Sequence, residues 1–268
     1  MDRNEYAQVV FPKSVYRRPN VSVLWASSDS EENYDPVDNI YNKDEIVYNY
    51  NAYGLRCDDL DLSTTNLFLG CSGTEGVGVK LEETWSYKLN TMLGEENYVS
   101  FALAAHGFHL QVNILYWYYK YFNNKPKNIF ILSPSFSRMT LKLGRNNGSF
   151  SYIPGHCGNE FPVDIDALCG DQNFEDYMTM HSLQKLDLIA KHWNSNVYFS
   201  MWSPDDRSLE MVSNYGLNIL EYPKFPIKSD GLTDHPDLAR DKMHPGPKTH
   251  SIIADYFHKQ VTGLNNGN

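Results

Sequence analysis

The chain of 268 residues lacks a long hydrophobic run. No stretch approaches the roughly 18 consecutive apolar residues that a transmembrane helix needs. Residues 1–20 mix charges with short apolar pairs, which is not the pattern of a signal peptide. We therefore expect no membrane partner and, by default, a cytoplasmic location.

Basic segments are also scarce. The chain has 33 Asp and Glu against 23 Lys and Arg, a formal net charge of −10. An acidic surface repels phosphate backbones, so nucleic acid is excluded as an expected partner. The apolar fraction of 41% is ordinary for a globular domain. A chain of this length buries enough surface to fold without stabilising disulfide bonds or metal ions.

Cysteines are few, and their spacing matches no metal-binding pattern. We predict free thiols in a reducing compartment, with a pairing between the last two left open, for Cys57, Cys71, Cys157 and Cys169. The other conceivable metal ligands have unspecific spacing: His106, His109, His156 and Cys157. We expect no metal and no cofactor.

From residue 66 onward, short apolar runs alternate with amphipathic segments. The runs predict five strands at 66–70, 98–102, 128–132, 196–200 and 217–220. The amphipathic segments predict helices at 82–92, 111–122, 181–193 and 247–261. This alternation is typical of an α/β fold with a mostly parallel five-stranded sheet covered by helices on both faces.

Two regions depart from that alternation. Residues 1–65 differ from the rest: Asp, Asn, Ser and Tyr dominate from residue 27 to residue 53, and within this stretch 45–51 alternates as a strand does. We interpret them as an N-terminal extension packed on a main domain of residues 66–268. Residues 144–180 contain Gly, Asn and Pro throughout, and predict an irregular insertion in that domain.

The most informative segment is the glycine-rich turn that follows the first strand of the main domain. The strand ends at Gly70, and Ser72 follows in a turn with glycines at 73, 76 and 78. A serine at the carboxyl end of a parallel strand lies at the edge where ligands bind. A helix beginning there would also point backbone N–H groups at a developing oxyanion. The alternatives are an ordinary turn or a phosphate cradle; a Walker-type loop is excluded because no Gly-Lys-Ser/Thr follows.

A serine nucleophile needs a base, and His244 has the best setting among nine histidines. It follows Asp241 by three residues in a loop before the last predicted helix, so the aspartate can bend back onto the imidazole. His235 has no aspartate three residues earlier. His250 and His258 fall on the terminal helix, where packing or solvation is the simpler interpretation.

Together, these two segments resemble the SGNH (GDSL-like) hydrolase superfamily. Gly70-Cys-Ser-Gly-Thr-Glu-Gly76 is similar to its first block, Gly-Asp-Ser-x-Thr-x-Gly, and residues 241–245 match its last block, Asp-x-x-His-Pro. The resemblance covers about residues 45–260. It implies a flavodoxin-like three-layer α/β/α sandwich and acyl ester hydrolysis without a cofactor. It assigns Ser72 as nucleophile, His244 as base and Asp241 as the orienting acid.

The resemblance also implies an oxyanion hole made of the Ser72 N–H, the Gly107 N–H and an asparagine side chain. The asparagine block is absent, and residues 132–138 stand in its place. Ser135 is a candidate replacement donor, with Ser137 and Arg138 as alternatives, and a purely structural loop is equally open. Two further departures are Cys71, where the family has aspartate, and Ala102, where asparagine is frequent.

Three functions follow from these segments. The first is a serine esterase acting through an acyl-enzyme on a small acyl ester or an acylated carbohydrate, such as a carbohydrate deacetylase. The second is an acyltransferase using the same triad. The third is a catalytically weak binding or structural module that retains the fold. The sequence does not indicate an oligomeric state.

Overall fold

The computed structural model describes residues 19–142, 149–152, 172–202, 206–226 and 234–263. Nine strands lie in these ranges: β1 Val21–Val23, β2 Tyr48–Tyr50, β3 Asn66–Gly70, β4 Val99–Ser100, β5 Asn128–Ser133, β6 Met139–Lys142, β7 Ser149–Tyr152, β8 Asn196–Met201 and β9 Asn218–Ile219. Six α-helices accompany them: α1 Ser72–Glu75, α2 Trp85–Met92, α3 Phe108–Tyr121, α4 Gln172–Trp193, α5 Asp206–Ser213 and α6 Pro247–Thr262.

The central sheet has five strands in the order β4-β3-β5-β8-β9, and all its pairings are parallel. Counted along these five strands, the order is 2-1-3-4-5, which is the flavodoxin-like arrangement. The predicted α/β fold is thereby confirmed, and the sheet is wholly parallel. β3 is buried along its full length, as a strand covered on both faces must be.

Aromatic side chains show how helices cover the two faces of the sheet. On one face, Phe68 packs edge-on against Trp85 of α2, which in turn packs against Phe257 of α6. On the other face, Phe199 of β8 packs edge-on against Phe108 of α3. Helices α3 and α4 also contact each other, as do α2 and α6. These two helix pairs and the sheet form the three layers.

The structure corrects two predictions about the region between β5 and β8. Residues 149–152 are not irregular, because β7 pairs antiparallel with β6 as a hairpin. Helix α4 begins at residue 172, earlier than the predicted residue 181. Its first turns are mostly half-buried or exposed, so they lack the apolar face from which the helix was predicted.

The N-terminal extension contributes the antiparallel pair β1–β2 and a second, smaller core. That core consists of Ala26, Tyr41, Ile46, Tyr48, Tyr50, Val79 and Ala239. Its last two members come from the main domain, so the extension buries its apolar side chains against the segments that contain Ser72 and Asp241.

Two further predictions concern cysteines and membranes. Cys57 and Cys71 are buried free thiols, while Cys157 and Cys169 lie outside the described residues. In the ranges that the structure describes, no helix combines the length and hydropathy needed to cross a bilayer.

Candidate active site

Ser72 is the first residue of α1, directly after β3, and its side chain is half-buried. The turn depends on glycine at position 70. A Cβ there would lie 2.0 Å from Thr74 Oγ1 and 3.1 Å from the Leu132 carbonyl oxygen. The sharp turn therefore sets Ser72 at the carboxyl edge of the parallel sheet, where ligands bind in folds of this topology.

Arg56 and Glu75 fasten the turn to its neighbours. The Arg56 guanidinium donates to the carbonyl oxygens of Gly76 at 2.6 Å and Val79 at 2.9 Å. The buried Glu75 carboxylate accepts from the Ala104 N–H and from the Tyr50 hydroxyl. Backbone carbonyls and a carboxylate thus hold the serine turn against both the extension and the loop before α3.

Asp241 and His244 are in direct contact. Nδ1 of His244 lies 2.7 Å from Oδ2 of Asp241, whose side chain is fully buried, while the imidazole remains 20% exposed. Oδ1 of Asp241 accepts the backbone N–H groups of Met243 and His244. Burial alone raises the pKa of Asp241, but the hydrogen bonds from His244, Met243 and Ser28 and the charge of His244 outweigh it. The pKa therefore lies below its ordinary value.

The loop that contains this pair packs on the segment just after α1. Arg240 N donates to the Gly78 carbonyl at 2.8 Å. A Cβ on Gly78, whose φ is +76°, would approach Ala239 Cβ to 2.8 Å and Asp241 N to 3.3 Å. The close approach and the left-handed backbone both favour glycine here. Farther along, Trp85 N donates to the buried Nδ1 of His250 and so ties α6 to α2.

The structure brings the predicted oxyanion residues to the same edge of the sheet. After β4 the chain continues beside β3 until Leu103 N donates to the Gly70 carbonyl. Gly107 then caps α3, and a Cβ on it would lie 1.9 Å from the Arg138 carbonyl oxygen. Ser135 is exposed, and its hydroxyl is 2.7 Å from that of Ser137.

Ser72 and His244 do not form a hydrogen bond in this structure: within the described ranges, the Ser72 hydroxyl has no hydrogen-bond partner. Catalytic hydrogen bonds are often long in the absence of substrate. The two residues are connected through the Gly78–Arg240 backbone contact and not by a bond between their side chains.

Sequence reasoning missed two features of this site. The Ser28 hydroxyl, from the extension, donates to Oδ2 of Asp241 at 2.8 Å, and no local pattern indicates this contact. The Trp202 indole lies directly over Gly73, where a Cβ would meet its ring at 2.2 Å. Trp202 comes immediately after β8, and its place at the carboxyl end of a parallel strand is a signal that could have identified it.

An aromatic row extends from this tryptophan. Its successive ring centroids are 5.2, 5.9 and 5.1 Å apart, and its members are Trp202, Tyr222, Phe225 and His235. Desolvation by burial raises the pKa of Tyr222, and the nearby Cys71 contributes to the effect. The row therefore runs from the serine turn toward the segment that precedes Asp241.

Across the part of the chain that the structure describes, no group of three or more His, Cys, Asp or Glu side chains could hold a metal ion. His156 and Cys157 lie outside that part.

The resemblance implies a flavodoxin-like strand order, with a serine turn after the first strand and an Asp–His loop before the last helix. The structure has this strand order, the serine turn after β3 and the Asp–His loop before α6. The chain therefore has the flavodoxin-like three-layer α/β/α fold that the resemblance implies.

Comparisons with known proteins find similarity between this chain and solved structures at low sequence identity. No family model and no curated protein matches it. It is similar to the acetyl xylan esterase Est2A from the rumen bacterium Butyrivibrio proteoclasticus, at 12% identity and a TM-score of 0.46, covering 77% of this chain and 66% of that one. It is also similar to the psychrotrophic esterase EstA from Pseudoalteromonas sp., at 13% identity and a TM-score of 0.42, covering 76% of this chain and 100% of that one. A third similar structure is a family two carbohydrate esterase from Cellvibrio japonicus, at 13% identity and a TM-score of 0.43, covering 78% of this chain and 63% of that one. The chain spans less than two thirds of the first and last of these proteins.

Proposed function

We propose that this protein is a serine hydrolase that cleaves acyl esters through an acyl-enzyme on Ser72. The contact between His244 Nδ1 and the buried Asp241 carboxylate is the observation that carries the proposal. A carboxylate only accepts hydrogen bonds, so Nδ1 carries the proton and Nε2 of the neutral ring is left as the proton acceptor. That tautomer is the one a general base for a serine hydroxyl requires.

The reaction then follows in two steps. Ser72 Oγ attacks the acyl carbon while its proton passes to Nε2 of His244; the tetrahedral intermediate collapses, and the alcohol leaves with that proton. Water attacks the acyl-enzyme by the same route and releases the acid. Asp241 stabilises the imidazolium that forms in each step.

Backbone N–H groups of Ser72 and Gly107 are the proposed oxyanion donors, and the Ser135 hydroxyl is the candidate third. Each donor of this kind contributes on the order of 3 kcal/mol to transition-state stabilisation. Helix α3 spans 14 residues and begins at Phe108, directly after its N-cap Gly107, so the positive end of its dipole adds to the field at this edge.

For substrate class, we propose small acyl esters, with acetylated carbohydrates as the first group to test. The aromatic row beginning at Trp202 supports this choice, because it offers apolar ring faces beside the serine turn. An acceptor alcohol in place of water would make the same site an acyltransferase. Product analysis with and without added glycosides separates the two outcomes.

A fluorophosphonate probe and a chromogenic acetyl ester test the proposal together. Wild type should be labelled at Ser72 and should hydrolyse the ester. Ser72→Ala should lose labelling and at least about a thousandfold in kcat/KM. Ser213→Ala is the matched control, because Ser213 is exposed at the end of α5 and its hydroxyl donates to the Glu210 carbonyl. Equal turnover by wild type and Ser72→Ala would refute the proposal.

The second candidate is a catalytically weak module that retains the fold. It is favoured by the Ser72 hydroxyl, which has no hydrogen-bond partner among the described residues, and by the missing asparagine after β5. This candidate requires that the wild type folds correctly but neither reacts with the fluorophosphonate probe nor hydrolyses the ester.

A further inference from the structure

The extension reaches the proposed active site through one hydroxyl. We propose that Ser28 is a positioning residue that holds the Asp241 carboxylate in its orientation toward His244, an inference that rests on the proposed function. Its Oγ donates to Oδ2 of Asp241 at 2.8 Å, and the same oxygen lies 2.7 Å from Nδ1 of His244. The two donors therefore meet on one carboxylate oxygen.

The two oxygens of this carboxylate are held differently. Oδ1 accepts backbone N–H groups from Met243 at 3.0 Å and His244 at 3.1 Å, both in its own loop. Oδ2 has no backbone donor within the described ranges. Ser28 is the one donor there that comes from another part of the chain, 213 positions away. Without Ser28, His244 Nδ1 would be the one donor to Oδ2 of Asp241 among the described residues.

The backbone of the extension aims Ser28 at this oxygen. Ala26 and Asp29 exchange backbone hydrogen bonds of 2.9 and 3.2 Å, which closes a two-residue turn over Ser27 and Ser28. Ser27 has a φ of +59°, in the left-handed region that such turns use and that non-glycine residues rarely adopt. The turn is therefore held in a conformation that its sequence does not favour by itself.

An adjacent ion pair fixes the turn against the loop. Arg240 and Asp29 are fully buried, and the guanidinium donates to both carboxylate oxygens. Two consecutive residues of the extension thus meet two consecutive residues of the loop: Asp29 with Arg240, and Ser28 with Asp241. The ion pair fixes the distance between the turn and the loop that contains Asp241, and the Ser28 hydroxyl orients the Asp241 carboxylate.

A positioning role predicts a specific kinetic effect. Ser28 reaches His244 only through Asp241, so its loss should lower kcat while the KM for a small ester stays within about twofold. Hydrogen bonds to charged groups are stronger than neutral ones, and we expect a fall in kcat on the order of tenfold. Ser28→Thr keeps the hydroxyl and should retain most of the wild-type rate.

The experiment compares Ser28→Ala, Ser28→Thr and wild type, with Ser22→Ala as the matched control. Ser22 lies in the same extension, and its hydroxyl donates to Asn49 Oδ1 at 2.6 Å on the exposed surface. Measurements are kcat and KM for a short-chain ester, the fluorophosphonate labelling rate, and the low-field proton signal of His244 Nδ1–H, assigned by its loss in His244→Ala. In Ser28→Ala that signal should shift or broaden; in Ser22→Ala it should not.

The outcomes are distinguishable. An active wild type whose kcat and low-field signal are unchanged in Ser28→Ala overturns the positioning role and leaves the proposed function intact. A folded wild type that neither labels nor turns over ester defeats the proposed function and, with it, this inference. Should Ser28→Ala fail to fold by thermal melting, Ser28→Cys takes its place, since a thiol fills the position but donates weakly.

Discussion

Arg240 and Asp29, 211 positions apart in the chain, form an ion pair from which solvent is excluded: their side chains are 0% and 1% exposed. Nε lies 2.9 Å from Oδ1 and Nη2 lies 2.6 Å from Oδ2. The guanidinium also donates to the Lys43 carbonyl at 2.8 Å and lies 4.0 Å from the Trp25 ring centroid. Arg240 is therefore the main polar link between the extension and the loop that holds Asp241.

Replacing Arg240 by methionine should destabilise the protein by about 3–5 kcal/mol, because Asp29 would be left as a buried charge without its cation. Adding Asp29→Asn removes that charge, and the double variant should recover part of the loss. Urea unfolding measures both. Lys191→Met, which breaks the exposed pair with Asp187, is the control and should change stability little. A double variant less stable than Arg240→Met would contradict this account.

Gly107→Ala should impair folding and activity together. The added Cβ would lie 1.9 Å from the Arg138 carbonyl oxygen, so one of the two backbones must move. The melting temperature and the labelling rate of Ser72 should both fall. Gly94→Ala is the comparison: nothing lies within 4 Å of its Cβ, and its φ of +81° costs about 1 kcal/mol for a non-glycine residue. Full labelling of Gly107→Ala at an unchanged melting temperature would contradict this account of the close packing at Gly107.

His250 should make the protein sensitive to acid. Burial of its imidazole, helped by the nearby charges of His244 and Lys88, lowers its pKa from 6.5 to about 3. As the pH falls, the unfolded chain therefore takes up this proton before the folded protein does. The corresponding stability is complete above pH 6.5 and is lost progressively toward pH 3.

The test is His250→Asn, which keeps an acceptor for the Trp85 N–H but cannot titrate. Between pH 7 and pH 5, the free energy of unfolding of wild type should fall by about 2 kcal/mol more than that of the variant. Urea unfolding at both pH values checks this. Parallel pH dependence in the two proteins would show that His250 does not titrate on unfolding.

Much of the fold was predictable because its signals are local. β3 has the predicted bounds, 66–70, and β5 and β8 each extend one residue beyond theirs. Apolar runs that end at glycine or enter a loop identify buried parallel strands directly. Helix α4 was misplaced by nine residues at its start, because polar, partly exposed turns have no hydrophobic period to read.

The candidate site likewise contains one contact that the local sequence predicts and one that it does not. Asp241 and His244 are three residues apart, and their contact follows from loop geometry that the spacing already allows. Trp202 was overlooked although it follows a predicted strand, since its packing on Gly73 depends on where α1 lies relative to β8.

By itself, the sequence determined the parallel sheet, the serine turn at its edge and the Asp–His pair before the last helix, since each depends on residues close together in the chain. Only the tertiary structure decided that Ser28 and Asp29 meet Asp241 and Arg240. Contacts between residues more than 200 positions apart leave no periodic or spacing signal. They arise when the extension buries its tyrosines against the main domain, and that packing brings the polar partners together.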